Sequence, residues 1–233
     1  MKIIAPIPCF NRFSLVELTA SRLKRQGVIP ILIGHENEIK QIANDLNIEF
    51  IQAPNVPLAN KWNKGFMACK DYNPDGVMFM GSSDWCSDDY IESVNENLND
   101  FNLLGMLGCH FVDVAENIRL VHWPGYDQGM RHQEPIGIGR VLRFDFLNEI
   151  NWKPFDDNLN AGLDWSMWLK VLNSNQKIGI FNQQSNIQLL SISTNKWSNK
   201  HKFNDHWNGK LKSTICDIDL LNKDFNEIQL LKQ

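Results

Sequence analysis

The sequence predicts an α/β fold with a mostly parallel sheet, and two observations carry that expectation. In the first half, short β-branched and aliphatic runs alternate with segments whose apolar residues recur at helical spacing, the pattern of βαβ units. The second observation is size. A chain of 233 residues, 43% of them hydrophobic, is long enough to bury roughly 70–75% of its unfolded surface around one core. No repeat and no linker-like stretch divides it, so one domain over residues 1–193 followed by a C-terminal segment, 194–233, is the expected organisation.

Residues 2–7 read as a buried strand, residues 13–26 as a helix with Leu15, Leu18 and Leu23 on one face, and residues 29–33 as a second strand. Residues 41–46 are helical, 48–51 form a third strand, 60–70 form a helix placing Trp62, Phe66 and Cys69 at helical spacing, and 77–80 form a fourth strand. Strands and helices in this order give a Rossmann-like sheet with helices on both faces and a ligand site at the strands' carboxyl ends. The second half is mixed. Residues 87–97 form a helix with Ser87 as N-cap and two acidic residues in the first turn, where the helix dipole favours them. Residues 103–114 and 117–121 read as strands around a turn at Glu116-Asn117, and 122–135 as a Gly/Pro/His-rich loop. An apolar helix follows at 162–172, then strands at 177–181 and 187–193, and a segment rich in Asn, Lys and His.

The formal charge of −4 argues against a broad electrostatic surface for nucleic acid or anionic membrane. Five cysteines without a CxxC pair fit buried thiols in a reducing compartment better than a disulfide framework or a zinc site. The apolar run at the start is far shorter than a signal peptide's core, and no segment reaches the ~18 apolar residues of a spanning helix. A soluble protein of the bacterial or viral-host cytoplasm is the expectation.

Two carboxylates stand out. Asp84, in Gly81-Ser82-Ser83-Asp84-Trp85, follows directly on the fourth strand and projects from the sheet edge where α/β folds bind ligands. A hard divalent cation on a diphosphate takes one or two such carboxylates, its shell completed by water and phosphate oxygens. Asp164 opens the helix in Gly162-Leu163-Asp164-Trp165-Ser166-Met167-Trp168, among apolar and aromatic neighbours that exclude water, the surroundings a general base uses. Each carboxylate also has a purely structural explanation, as a turn or first-turn acid.

These segments, with Pro6-Ile7-Pro8-Cys9-Phe10-Asn11-Arg12 and Asn60-Lys61-Trp62-Asn63-Lys64-Gly65-Phe66, occur in an order and spacing that resembles the GT-A fold glycosyltransferases, most closely the family 2-like group, over residues 1 to about 175. That resemblance implies a nucleotide-sugar donor held by Pro8, Asn11, Arg12, Asn63, Ser83 and Asp84. It implies a divalent cation, Mn²⁺ or Mg²⁺, at Asp84 with His201, and Asp164 as the base of an inverting transfer to a hydroxyl. Relative to that family the metal motif is reduced to Ser82-Ser83-Asp84, the second strand ends in His35-Glu36, and the acidic pair that opens the helix is Leu163-Asp164. The acceptor would meet Trp123, Tyr126, Arg140 and Trp165. The segment from Thr194, with His201, His206, Lys196, Lys200 and Lys202, would close over the diphosphate.

A nucleotidyltransferase is the rival enzyme, although Cys9-Phe10-Asn11-Arg12-Phe13 lacks the glycines of a phosphate loop; a degenerate carbohydrate-binding domain is the non-enzymatic rival. The acceptor is expected to be a saccharide, with a hydroxymethylated base in DNA second. For DNA, Arg131, His132, Arg140 and Arg143, with Lys196, Lys200 and Lys202, would line one groove, and Trp123, Tyr126 and Trp197 would stack on a flipped base.

Overall fold

The computed structural model describes residues 1–115, 118–182, 186–194, 200–221 and 223–231, and of residues 200–202 the backbone only. The sequence alternation appears as β1 (Ile3–Pro8), α1 (Phe13–Arg25), β2 (Ile29–Gly34), α2 (Asn37–Asp45), β3 (Glu49–Gln52), α3 (Leu58–Cys69) and β4 (Gly76–Met78). β1 pairs in parallel with both β2 and β4, and β2 with β3. The chain therefore runs outward from β1 on one side and resumes on the other, which opens a crevice at the carboxyl ends of these strands. β1 explains why helices cover both faces. Ile3, Ala5 and Ile7 pack toward α1 and α2 with Val16, Leu23 and Ile39, while Ile4 packs toward α3 with Phe66. α3 lies close against β1 and β2 because Gly65 has no side chain. A Cβ there would sit 2.9 Å from the Pro6 Cβ and closer still to Ile33.

The second half departs from the sequence expectation in four places. The apolar run 103–114 is two strands, β6 (Leu103–Met106) and β7 (Cys109–Asp113), in different sheets; the break falls at Leu107-Gly108. A short strand, β9 (Val141–Arg143), inserts antiparallel between β4 and β6, and α5 (Phe144–Glu149) follows it; the sequence reading had neither. With β10 (Ile178–Phe181) beside β6, the main sheet has the order β10-β6-β9-β4-β1-β2-β3. Ser87 does precede α4 (Asp88–Asn97), but its hydroxyl accepts from the Gln188 backbone N–H at 2.9 Å and does not cap the helix. Lastly, much of the segment after Thr194 is ordered into the fold. α7 (Lys200–Trp207) buries Phe203, and β12 (Thr214–Cys216) pairs with β8 (Arg119–Trp123).

β12, β8, β7, β11 (Leu189–Ser193) and β5 (Asp84–Cys86) form a second, five-stranded sheet. Its outer face carries Trp85, Val112, Leu190 and Ile192, covered by Phe225 and Ile228 of the terminal 3₁₀ segment Lys223–Leu231. α6 (Leu163–Leu172) buries Met167, Trp168 and Val171 in the cluster that also holds Phe66 and Phe146. The expected turn at Glu116-Asn117 lies outside the described residues.

Candidate active site

A cavity of about 640 Å³ opens where the end of β4, strand β5, the loop after β8 and the start of α6 meet, and both Asp84 and Asp164 line it. Asp84 is fixed by a turn that closes on itself. Its backbone N–H donates to the Gly81 carbonyl at 3.1 Å, and the Gly81 N–H donates to its Oδ2 at 2.9 Å. A Cβ at Gly81 would fall 2.6 Å from that oxygen, so glycine is what allows the carboxylate to lie over the turn. Arg12 approaches from the β1–α1 turn, where Asn11 and Arg12 both take left-handed backbone angles, and its Nη1 donates to Ser83 Oγ at 3.2 Å. Burial pushes the Arg12 pKa down, and the Asp84 carboxylate opposes that effect. Ser82 is buried, its carbonyl accepting from Thr19 Oγ1 at 3.2 Å, which ties the turn to α1.

This donor set bears directly on a cation. Among the described residues no three His, Cys, Asp or Glu side chains converge on one point. One carboxylate suits a hard cation carried in on a diphosphate, whose oxygens complete its shell, and does not make a standing metal cage.

Asp164 is the second residue of α6, which Gly162 starts from a left-handed conformation. The Tyr126 hydroxyl donates to Asp164 Oδ2 at 3.4 Å, and Gly137 backs the other side of the carboxylate, where a Cβ would lie 2.9 Å from Cγ. Tyr126 has its pKa raised by burial and, secondarily, by the Asp164 charge. The aromatic wall is wider than the sequence suggested. Trp123 meets Tyr126 edge to face at 4.9 Å, and Trp62, Phe79 and Phe155 pack together on the α3 side. His206 of α7 lines the cavity too; its ring stacks on Phe111 at 4.5 Å and its Nδ1 lies 2.7 Å from Ser213 Oγ.

Asp84, Asp164, Trp123 and Tyr126 thus share one cavity, and Arg12 and Ser83 buttress Asp84. Other expected contacts do not reach it. Asn63 is buried, its amide donating to Phe155 O and Asp157 Oδ1 at 2.8 Å each; it anchors the 155–157 loop instead of a donor. Arg140 is fully buried, bound to the Pro135 carbonyl and to Glu134, which removes it from any acceptor surface. Trp165 stands behind Arg131, whose guanidinium lies 5.7 Å from its ring. Pro8 ends β1 beside Ile33, and neither it nor Asn11 lines the cavity. Of the basic groove read for DNA, the three arginines are engaged elsewhere: Arg140 is internal, Arg131 is paired with Glu134, and Arg143 with Asp145. Lys196 and Trp197, and the side chains of Lys200, His201 and Lys202, lie outside the described residues.

Sequence reasoning missed Lys61, a fully buried amine bonded to the Cys9 carbonyl and, at 2.6 Å, to Asn55 Oδ1. Burial pushes its pKa down. It fastens the β1–α1 turn to the loop after β3, and nothing in its helical context separates it from an ordinary solvated lysine. Gly81, Gly137 and Glu134 were equally invisible as site residues, because their roles depend on what folds against them.

No family model and no curated protein matches the chain. Solved structures do. Residues 1–349 of S. aureus TarS, a GT-A family 2-like glycosyltransferase, superpose with a TM-score of 0.58 at 12% identity, covering 82% of this chain and 60% of that one. The same fragment in complex with UDP gives 0.55 at 12% identity and the same coverage. The inositol-1-phosphate CTP transferase from T. maritima gives 0.51 at 13% identity, covering 86% of this chain and 93% of that one. The chain thus has the mixed α/β GT-A-like architecture shared by glycosyl- and nucleotidyltransferases, and it spans about 60% of the TarS fragment. Among the described residues no helix is long and apolar enough to cross a membrane.

Proposed function

We propose that this chain is a nucleotide-sugar-dependent glycosyltransferase that transfers a sugar to a hydroxyl, with inversion. The observation that carries the reading is the convergence of Asp84 and Asp164, 80 positions apart in sequence, on one aromatic-walled cavity at the carboxyl end of the sheet. The UDP complex of TarS supports a nucleoside diphosphate as the donor's leaving group.

Asp84, seated on the Gly81 N–H with the Arg12 cation close by, lies at the diphosphate end. A divalent cation bound there with the diphosphate would neutralise the charge that develops as the leaving group departs. Asp164 takes the proton from the acceptor hydroxyl as that oxygen attacks the anomeric carbon in line, and in-line attack inverts the configuration. Trp123 and the neighbouring rings provide flat apolar surface for a sugar, and a saccharide acceptor is favoured over DNA because Arg140 is internal and Arg131 and Arg143 are engaged in ion pairs.

The test is product analysis on a panel of UDP-, GDP- and CDP-sugars with Mn²⁺ and methyl glycosides. Release of nucleoside diphosphate with a sugar added to the glycoside supports the reading. Pyrophosphate release from CTP and a sugar phosphate, with no glycosyl transfer, replaces it with nucleotidyl transfer. Binding without turnover replaces it with a carbohydrate-binding domain.

A further inference from the structure

We infer that Tyr126 is a positioning residue for the Asp164 carboxylate, held in place by Arg131 and Glu134, and that it does not bind the acceptor through its hydroxyl. This rests on the reading of Asp164 as the base. Four residues form a continuous chain. Glu134 is fully buried, and its carboxylate accepts from Arg131 Nε at 2.5 Å and from Arg131 Nη2 at 2.9 Å, a bidentate pair that fixes the plane of the guanidinium. Arg140 Nη2 donates to the same carboxylate at 3.2 Å, so Glu134 stays anchored from below. The Arg131 guanidinium lies 3.5 Å from the Tyr126 ring centroid, and Trp123 meets that ring edge to face. Between them these contacts determine where the phenol points, and its hydroxyl donates to Asp164 Oδ2.

At 3.4 Å this bond is at the long end of the range, so the carboxylate is restrained in direction and keeps room to move toward an acceptor. Gly137 leaves Asp164 no side chain to rest on from the opposite side. Among the described residues the tyrosine hydroxyl supplies the side-chain hydrogen bond to this carboxylate, and a base that must sit in hydrogen-bond reach of a moving proton depends on such a restraint.

Tyr126→Phe keeps the ring stacking and removes only the donor. The measurement is nucleoside diphosphate release from the best sugar nucleotide of the panel with a methyl glycoside as acceptor, alongside the melting temperature. The inference expects kcat to fall about 3–10-fold with KM for the glycoside and Tm unchanged. Arg131→Lys, which keeps the charge and loses the fork and the stacking, lowers kcat similarly, and the double variant is no worse than the poorer single one. The Tyr126→Phe result decides the question even where Arg131→Lys does not fold. A raised KM with normal kcat makes Tyr126 an acceptor contact and overturns the inference, as does an unchanged kcat. Asp164→Asn, run in parallel, separates the failures: near-normal transfer there removes the base, whereas its loss together with an unaffected Tyr126→Phe removes only the positioning role.

Discussion

Gly137→Ala perturbs the candidate base without touching it chemically. The new methyl carbon would lie 2.9 Å from the Asp164 carboxyl carbon, 0.5 Å inside the 3.4 Å at which ordinary contact begins, and nearer still to Oδ1. Gly137 does not have a positive φ, so alanine brings no backbone penalty there, and the atom it displaces is the end of a side chain that can swing. The fold should absorb the change with a Tm shift of no more than a few degrees. Catalysis should not. Displacing a reacting group by about 1 Å costs on the order of 10²-fold, and a shift of half that or more predicts a drop of about 10–100-fold in kcat, or about 1.4–2.7 kcal/mol. Nucleotide affinity, set at the Asp84 end, should stay within about twofold. The assay is steady-state release of nucleoside diphosphate beside calorimetric titration of UDP. Wild-type kcat in a folded Gly137→Ala variant would falsify the placement of Asp164 at the reacting centre.

Other perturbations follow from the same packing. Gly65→Ala drives a Cβ into Pro6 and Ile33 between α3 and the sheet, where both neighbours are core; it should destabilise by about 1–3 kcal/mol, read as a lower urea midpoint, and an unchanged midpoint contradicts the close approach. His110 is buried beside His122, and burial first, then that neighbour, pushes its pKa down to about 4. The unfolded chain, with an ordinary value near 6.5, binds the proton first as pH falls. Stability is therefore full above about pH 7 and declines by about 3 kcal/mol down to pH 4, and His110→Gln should flatten that slope in urea titrations at pH 7 and pH 4.5. Burial pushes Cys9 and Cys86 up to about 12 and raises Cys69, and Cys109 is buried as well. A disulfide reagent should thus titrate close to one thiol per native chain, Cys216, and all five in denaturant.

What the sequence revealed and what it hid have physical causes. β1 to β4 were legible because each is preceded or followed by a helix with a clear apolar face, and the switch between strand and helix periodicity is local. β9 was not, because Val141, Leu142 and Arg143 are only three residues and become a strand through partners on β4 and β6. The run 103–114 read as one strand since both sheets bury it, and no polar residue marks the handover at Leu107-Gly108. In the candidate site, Asp84 and Asp164 could be singled out because acids at the end of a strand and the start of a helix are brought to the sheet's carboxyl edge by topology, and both line the same cavity. Asn63 and Arg140 were misplaced for the opposite reason. Their polar groups are consumed by Phe155, Asp157, Pro135 and Glu134, partners the sequence does not put beside them.

The division of labour between the two carboxylates is the centre of this account, and calorimetric titration of UDP with Mn²⁺ into Asp84→Asn and Asp164→Asn tests it most directly. Asp164→Asn should bind as the unaltered protein does, and Asp84→Asn should bind at least about tenfold more weakly. Equal affinity in both variants, or a loss confined to Asp164→Asn, would contradict it.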